Sequence, residues 1–370
     1  MKRLMLFLTI IMVCCALGVF LFLQRPEFGR LPDGLRLERI KLSPHYRDGE
    51  FRNLIPTPMS AEGISRFKLY WDFFFARMPD LAPSSPVPSV ATNLRGLDRK
   101  RDFFVWFGHS SSLLFLGGRT FLIDPVFSGH ASPFSFFTKA FPGTTGYSPD
   151  DMPDIDYLVI SHDHWDHLDH PTVTALRSRT GKVICPLGVG GHFERWGFAP
   201  DDILEGDWFD AFEPEPGLVV HVLPARHFSG RELRSNRTLW ASYVFELPGR
   251  KIFYSGDSGY GPHFADIGRR FGGFDLAILE NGQYDVKWPH VHMLPEDVVR
   301  AAEDLGAAAL LPVHAGKFCI GFHPWNEPFR RIVKASEGRS VQLLTPVIGE
   351  TVSIPPEKGK RRFWWDKTES

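Results

Sequence analysis

Ser161-His162-Asp163-His164-Trp165-Asp166-His167 follows the apolar run Tyr157-Leu158-Val159-Ile160. That run reads as a short buried strand, so the polar cluster begins where a strand gives way to a loop. Residues 162–167 hold three imidazoles and two carboxylates in the pattern H-x-H-x-D-H. Imidazole nitrogen and carboxylate oxygen together suit zinc and similar divalent ions. In an extended segment His162 and His164 point to one side and can share an ion. Asp166 and His167, past the bend, can serve a second. A solvated His-rich loop is the plain alternative. The density of ligand types favours a pair of ions.

The whole-chain totals set bounds. With 370 residues, 43% hydrophobic and 23% charged, the chain suffices for one large domain or two modest ones. A formal net charge of -1 gives no ground for nucleic-acid binding. Of four cysteines, Cys14 and Cys15 lie in an N-terminal apolar run, which leaves Cys185 and Cys319 in the body. That is neither a disulfide framework nor a Cys-based zinc site.

Residues 4–23 form an uncharged apolar run between Lys2-Arg3 and Arg25, long enough to span a bilayer. A cleaved signal has a shorter apolar core, ~7–15 residues. An uncleaved membrane anchor within residues 1–25 is therefore expected, with the body on the outer, extracytoplasmic side. Residues 26–100 are rich in Pro, Gly and charge and read as a wrapping arm. Within it, residues 64–75 read as an aromatic helix that either packs on the main domain or touches lipid; few positive charges favour packing.

Residues 101–350 carry the regular elements. Strands are expected at 103–107, 112–116, 119–123, 182–185, 219–223, 239–246, 251–254, 276–279, 308–312 and 341–344. Helices are expected at 171–179, 266–271, 295–305 and 329–337. Hairpins come first, then mixed α and β, which fits two sheets between helices. Residues 351–370 are a basic aromatic tail, either resting on anionic headgroups or packing its tryptophans on the body.

Three further strand ends carry ligand-type residues: Leu223-Pro224-Ala225-Arg226-His227, Tyr254-Ser255-Gly256-Asp257 and Leu311-Pro312-Val313-His314. Singly, each is an ordinary polar residue at a turn. With the first cluster they supply five His and two Asp, enough for two metals. H-x-H-x-D-H after an apolar strand resembles the signature of the metallo-β-lactamase fold superfamily, and the likeness runs through residues 101–350. It implies an α/β fold, a four-layer αββα sandwich, here with an N-terminal membrane anchor. It implies two divalent ions, zinc expected. His162, His164 and His227 hold one, Asp166, His167 and His314 the other, and Asp257 bridges. Asp124 matches an acidic residue that orients a ligand; before Pro125 it is equally an ordinary turn residue.

Trp106-Phe107-Gly108-His109-Ser110, Ile123-Asp124-Pro125-Val126-Phe127 and Pro312-Val313-His314-Ala315-Gly316-Lys317-Phe318 resemble one branch of that superfamily. So do His45-Tyr46-Arg47-Asp48-Gly49-Glu50-Phe51-Arg52-Asn53 and His292-Met293-Leu294-Pro295-Glu296. The branch holds N-acylphosphatidylethanolamine-hydrolysing phospholipase D and is similar to L-ascorbate-6-phosphate lactonases. Ala315 departs from it, since Trp is commoner there. The resemblance implies a metal-dependent hydrolase, a phosphodiesterase of phospholipase D type with a phospholipid substrate; the neutral charge and absence of a basic channel argue against a nucleic-acid partner. A phosphorylated-lactone lactonase is the alternative. Asp166 and Asp257 would orient a hydroxide. His292 is the expected proton donor and, with Asp166, a catalytic residue; His290 is its rival. His109, His263 and His323 have no assigned role.

Overall fold

The computed structural model describes the chain except residues 66, 69–70, 73–77, 358–361 and 369–370, and the side chains of 367–368. A small hairpin, β1 (Tyr46–Arg47) and β2 (Glu50–Phe51), precedes two seven-stranded sheets built on one plan. The first sheet is ordered β16 (Thr351–Ser353), β3 (Phe103–Trp106), β4 (Ser112–Leu116), β5 (Arg119–Ile123), β6 (Ile155–Val159), β7 (Thr180–Pro186), β8 (Ile203–Gly206). Neighbours pair antiparallel as far as β5 and parallel beyond it.

The second sheet is ordered β9 (Ala211–Glu215), β10 (Leu218–Leu223), β11 (Ser242–Leu247), β12 (Arg250–Tyr254), β13 (Leu276–Glu280), β14 (Ala309–Val313), β15 (Gln342–Leu343). It too is antiparallel as far as β12 and parallel beyond. Parallel strands end at the same edge of a sheet, so the loops that leave them gather there.

The two inner faces meet through large side chains. Phe121 of β5 stacks on Tyr157 of β6 with ring centres 5.0 Å apart. It also meets Phe245 of β11 edge to face at 5.0 Å, joining the sheets. The outer face of the second sheet is covered by helices His263–Phe271, Pro295–Asp304 and Glu327–Ala335. Phe264, Ile267, Val298, Ala302 and Ile332 of these helices pack with Phe253, Ala277 and Leu310. Helices His170–Leu176 and Gly190–Arg195 bring Val173, Leu176 and Phe193 to the first sheet. The layers are αββα, as expected.

Most expected elements lie within a few residues of their observed ends. The strand expected from 239 begins at Ser242, because its partner β10 ends opposite at Leu223 and Pro224 has no N–H to continue the ladder. Leu239 and Ala241 instead donate to the carbonyls of Leu187 and Ser161. Among the described residues, seven strands and α-helices were not expected: β1, β2, β8, β9, β16, helix Gly34–Lys41 and helix Gly190–Arg195. β9 carries Pro214 at a sheet edge, where a missing donor is tolerated. Gly190-Gly191 opens a helix although it reads as loop.

The N-terminal helix Lys2–Leu23 has 22 residues and no buried side chain, and by length and composition it can cross a membrane. Its last turn touches the body: Phe22 stacks on Phe134 at 5.0 Å, and Phe28 lies edge-on to both Phe22 and Trp165. Further on, Arg36 pairs with Glu194 and Glu205 at 2.9 and 2.8 Å, and Ile40 and Phe51 are fully buried. Half of the helix expected at 64–75 lies outside the described residues; 67–68 and 71–72 are helical, and Phe67 and Trp71 are exposed. In the tail, Trp364 and Trp365 are buried against Phe329, which is the packing alternative for those two rings.

Because Phe121 joins the sheets, Phe121→Ala is expected to cost about 3–5 kcal/mol of stability. Urea unfolding measures it; a midpoint unchanged from the parent would contradict this account of the core.

Candidate metal centre

The loops leaving the parallel strands of both sheets converge on Asp124, which directly follows β5 and is fully buried. Its Oδ1 accepts from the Ser161 backbone N–H at 2.7 Å. Its Oδ2 accepts from Ser161 Oγ, His167 Nδ1 and Tyr254 Oη at 2.5, 2.7 and 2.5 Å. Tyr254 ends β12, so one carboxylate ties loops of the two sheets together. Asp124 therefore orients His167 and is no mere turn residue. A reciprocal backbone bridge adds to this: His109 N–H donates to Ala315 O, and His314 N–H donates to His109 O, each at 2.9 Å. Asp124, His109 and His314 all have positive φ (42°, 51° and 65°), a conformation side chains adopt at some cost and one concentrated here.

These loops bring all seven sequence-predicted ligand residues together. One group is His162, His164, His227 and Asp257; a second is Asp166, His167 and His314, joined by His109. Within each group the nitrogen and oxygen atoms lie within 4.8 Å of one another. Asp257 also groups with His292 and His314. In the first group His162 Nε2 and His227 Nε2 lie 2.8 and 3.3 Å from His164 Nδ1.

Outer partners decide which nitrogen faces inward. His227 Nδ1 is 2.8 Å from the Val291 carbonyl, which can only accept, so Nδ1 carries the proton and Nε2 a lone pair. His167 is arranged alike, with Nδ1 on Asp124 and Nε2 inward. His314 differs: its Nδ1 meets Ser110 Oγ at 2.9 Å and also lies 3.2 Å from Asp257 Oδ1.

The electrostatics suit a cation. Burial, reinforced by neighbouring imidazoles, holds His162, His227 and His314 well below the usual imidazole range. Burial also takes His164 down to about 4. All four are neutral lone-pair donors near pH 7. His167 goes the other way. Burial opposes its charge, but Asp257, Asp166 and Asp124 outweigh burial and raise it well above the ordinary value. Its Nε2 is 3.2 Å from Asp257 Oδ2 without hydrogen-bond geometry. Burial pushes Asp257 up to about 6, and its Oδ1 also lacks a hydrogen bond. Buried, unsatisfied nitrogen and oxygen atoms facing one another are a donor set that fits divalent ions.

His292 lies beside this centre, its ring centre 5.0 Å from that of His227. Its Nδ1 is 3.2 Å from Glu280 Oε2, which turns Nε2 toward the ligand groups. Glu280 is fully buried at the end of β13, and its other oxygen accepts the Met293 N–H. The rival His290 is half-buried and joins none of the ligand groups. His263 is occupied by Ser258 Oγ at 3.1 Å, and His323 accepts the Gln283 N–H at 2.8 Å.

Sequence reasoning missed two residues of the centre. His109 Nε2 meets Asp166 Oδ2 at 2.8 Å, the same oxygen that lies 3.5 Å from His167 Nε2 and 3.9 Å from His314 Nε2. Its signal was its place in Gly108-His109-Ser110, just past a strand, like the other ligand-type residues. Glu280 was detectable only as an acid closing the apolar run Leu276-Ala277-Ile278-Leu279.

A cavity of about 890 Å³ opens beside His292. Phe51, Leu54, Ile55, Met59, Trp288 and Ile320 give it a largely apolar wall, with Glu50 and Arg52 as its ionic side chains.

Residues 119–315, just over half of the chain, match the family model described as a beta-lactamase superfamily domain. An uncharacterized protein of Mycobacterium tuberculosis is 40% identical over 329 residues, covering 87% of each chain. The N-acyl-phosphatidylethanolamine-hydrolyzing phospholipase D 1 of Caenorhabditis elegans is 30% identical over 236 residues, 59% of this chain and 65% of that protein. Among solved structures, Igni18, a novel metallo hydrolase of Ignicoccus hospitalis, aligns with a TM-score of 0.52 at 21% identity, covering 68% of this chain and 98% of its own. That last likeness is one of fold. With two matching sheets, strand-end histidines and the family match in hand, the chain belongs to the metallo-β-lactamase superfamily and has the fold of a metal-dependent hydrolase.

Proposed function

We propose that this chain is a two-metal phosphodiesterase of phospholipase D type acting on N-acylphosphatidylethanolamine-like phospholipids. The observation that carries the reading is the largely apolar cavity next to His292 and the ligand groups. Such a wall with few charged groups suits an amphiphile; a phosphorylated lactone needs a closed polar pocket. The nematode relative, named for hydrolysing N-acyl-phosphatidylethanolamine, supports the choice of substrate. The helix Lys2–Leu23 would hold the domain at the membrane, with Lys2 and Arg3 on the cytoplasmic side and the hydrolase domain outside.

In this reading His162, His164 and His227 hold one ion, Asp166, His167 and His314 the other, and Asp257 lies between. Two divalent ions, zinc in our proposal, supply Lewis acidity and bring the pKa of a water toward ~7. Asp166 and Asp257 orient the attacking water toward phosphorus, while His109 fixes the Asp166 carboxylate. Burial raises Glu280 well above the usual carboxylate range, so Glu280 Oε2–H donates to His292 Nδ1; as the P–O bond breaks, His292 Nε2–H gives its proton to the departing alcohol oxygen and Nδ1 takes the proton of Glu280. The products are an N-acylethanolamine and a phosphatidic acid. Water is the nucleophile, so no acyl- or phosphoryl-enzyme forms.

Incubation with N-acyl phospholipids, ordinary phospholipids, a sugar-phosphate lactone and a generic phosphodiester is expected to yield N-acylethanolamine; turnover of the lactone alone would overturn the lipid reading. Chelation should abolish turnover and zinc restore it. His164→Ala should lose metal and activity together, and activity retained in that variant counts against the assignment. His292→Asn should keep its metal content and lose about 10²–10⁴-fold in kcat. An unchanged kcat would remove His292 as the proton donor.

A further inference from the structure

We infer that residues 53–57 of the N-terminal arm clamp the loop that carries His227 and so set how tightly the first ion is held. This rests on the metal reading above. The clamp is a set of hydrogen bonds between segments far apart in sequence. Asn53 Nδ2 donates to the His227 carbonyl at 2.8 Å. Asn53 Oδ1 accepts from the His227 N–H at 3.1 Å and from Trp240 Nε1 at 3.2 Å. Both main-chain groups of His227 thus end on one amide side chain. The preceding residue is held by the same segment: Arg226 Nε donates to Thr57 Oγ1 at 3.1 Å, and Arg226 Nη2 donates to the Pro56 carbonyl at 3.2 Å.

The need for such a clamp follows from the strand ends. β10 stops at Leu223, so His227 is beyond the sheet and has no ladder partner. Its backbone groups are out of water and must be met by something. Asn53 supplies the amide that a neighbouring strand would otherwise present. The ring is fixed separately, by Nδ1 on the Val291 carbonyl. With backbone and ring both held, Nε2 stays 3.3 Å from His164 Nδ1, facing His162. The second group has no such dependence; its residues are tied by Asp124, Ser110 and the His109–Ala315 bridge. Asn53 lies outside residues 119–315 that match the family model, so a residue of the arm supports a centre built by the two-sheet sandwich. Asn53 is therefore a positioning residue for His227, not a catalytic one.

The test uses the full-length protein in detergent, stripped with a chelator and titrated with zinc against a chromophoric competitor. The parent should show two binding steps. Asn53→Ala should weaken one step by about 10–100-fold, the usual loss when a ligand's outer partner is removed, and leave the other within about twofold. Thr57→Val, which removes the Arg226 contact together with the Thr57 Oγ1 bond to the Ile55 carbonyl, should weaken the same step less. Thermal unfolding of the stripped proteins is measured alongside. Unchanged affinities in both variants would overturn the clamp. So would equal weakening of both steps together with a lowered unfolding temperature, since Asn53 would then serve only the fold. If Asn53→Ala does not fold, Thr57→Val decides alone, and the absence of selective weakening overturns the proposal. A parent protein that takes up no zinc sinks the two-metal reading itself and is thereby told apart from failure of the clamp.

Discussion

A carboxylate removed from water must be met by donors, and Asp124 is met by four. Two come from Ser161, one from His167 and one from Tyr254. The first three belong to the loop after β6 in one sheet, and the last ends β12 in the other. This buried acid therefore does more than fill a turn. It sets the distance between the His-rich loop and the Asp257 loop, and it holds His167 by Nδ1 so that Nε2 is turned inward. The arrangement of the remaining ligand-type residues presupposes that contact.

The centre it creates is costly as bare protein. Buried imidazoles and acids lie together with several polar atoms unsatisfied, and unsatisfied buried groups oppose folding. The shifts agree on what relieves this. Four imidazoles are driven neutral by burial, whereas three carboxylates keep a proton on His167. Positive charge placed among those nitrogens and oxygens satisfies both tendencies. Structural burial alone would favour apolar residues at these positions.

Much of this was legible in the sequence, for a physical reason. Parallel strands deliver their C-terminal loops to one edge, so ligand-type residues that each follow an apolar run are brought together by topology. That logic located His162, His164, Asp166, His167, His227, Asp257 and His314. It missed what depends on a tertiary partner. Glu280 is one acid after an apolar strand until His292 is seen beside it, and His109 reads as a loop histidine until its backbone bridge to Ala315 appears. Edge strands such as β9, interrupted by Pro214 and half-exposed, lack the alternation that marks a strand. Asn53 lies in a stretch whose sequence resembles the same branch, yet nothing in it names His227 as its partner.

Outside residues 119–315 lie an apolar helix joined to the body through Phe22, Phe28 and Trp165, and an arm that walls the cavity. The most direct test is anomalous diffraction at the zinc edge from crystals of the zinc-loaded protein. The account predicts two peaks about 3.5–4 Å apart, one among His162, His164 and His227, the other among Asp166, His167 and His314, with Asp257 reaching both. No peak at this edge, or a single ion held by other residues, would contradict it.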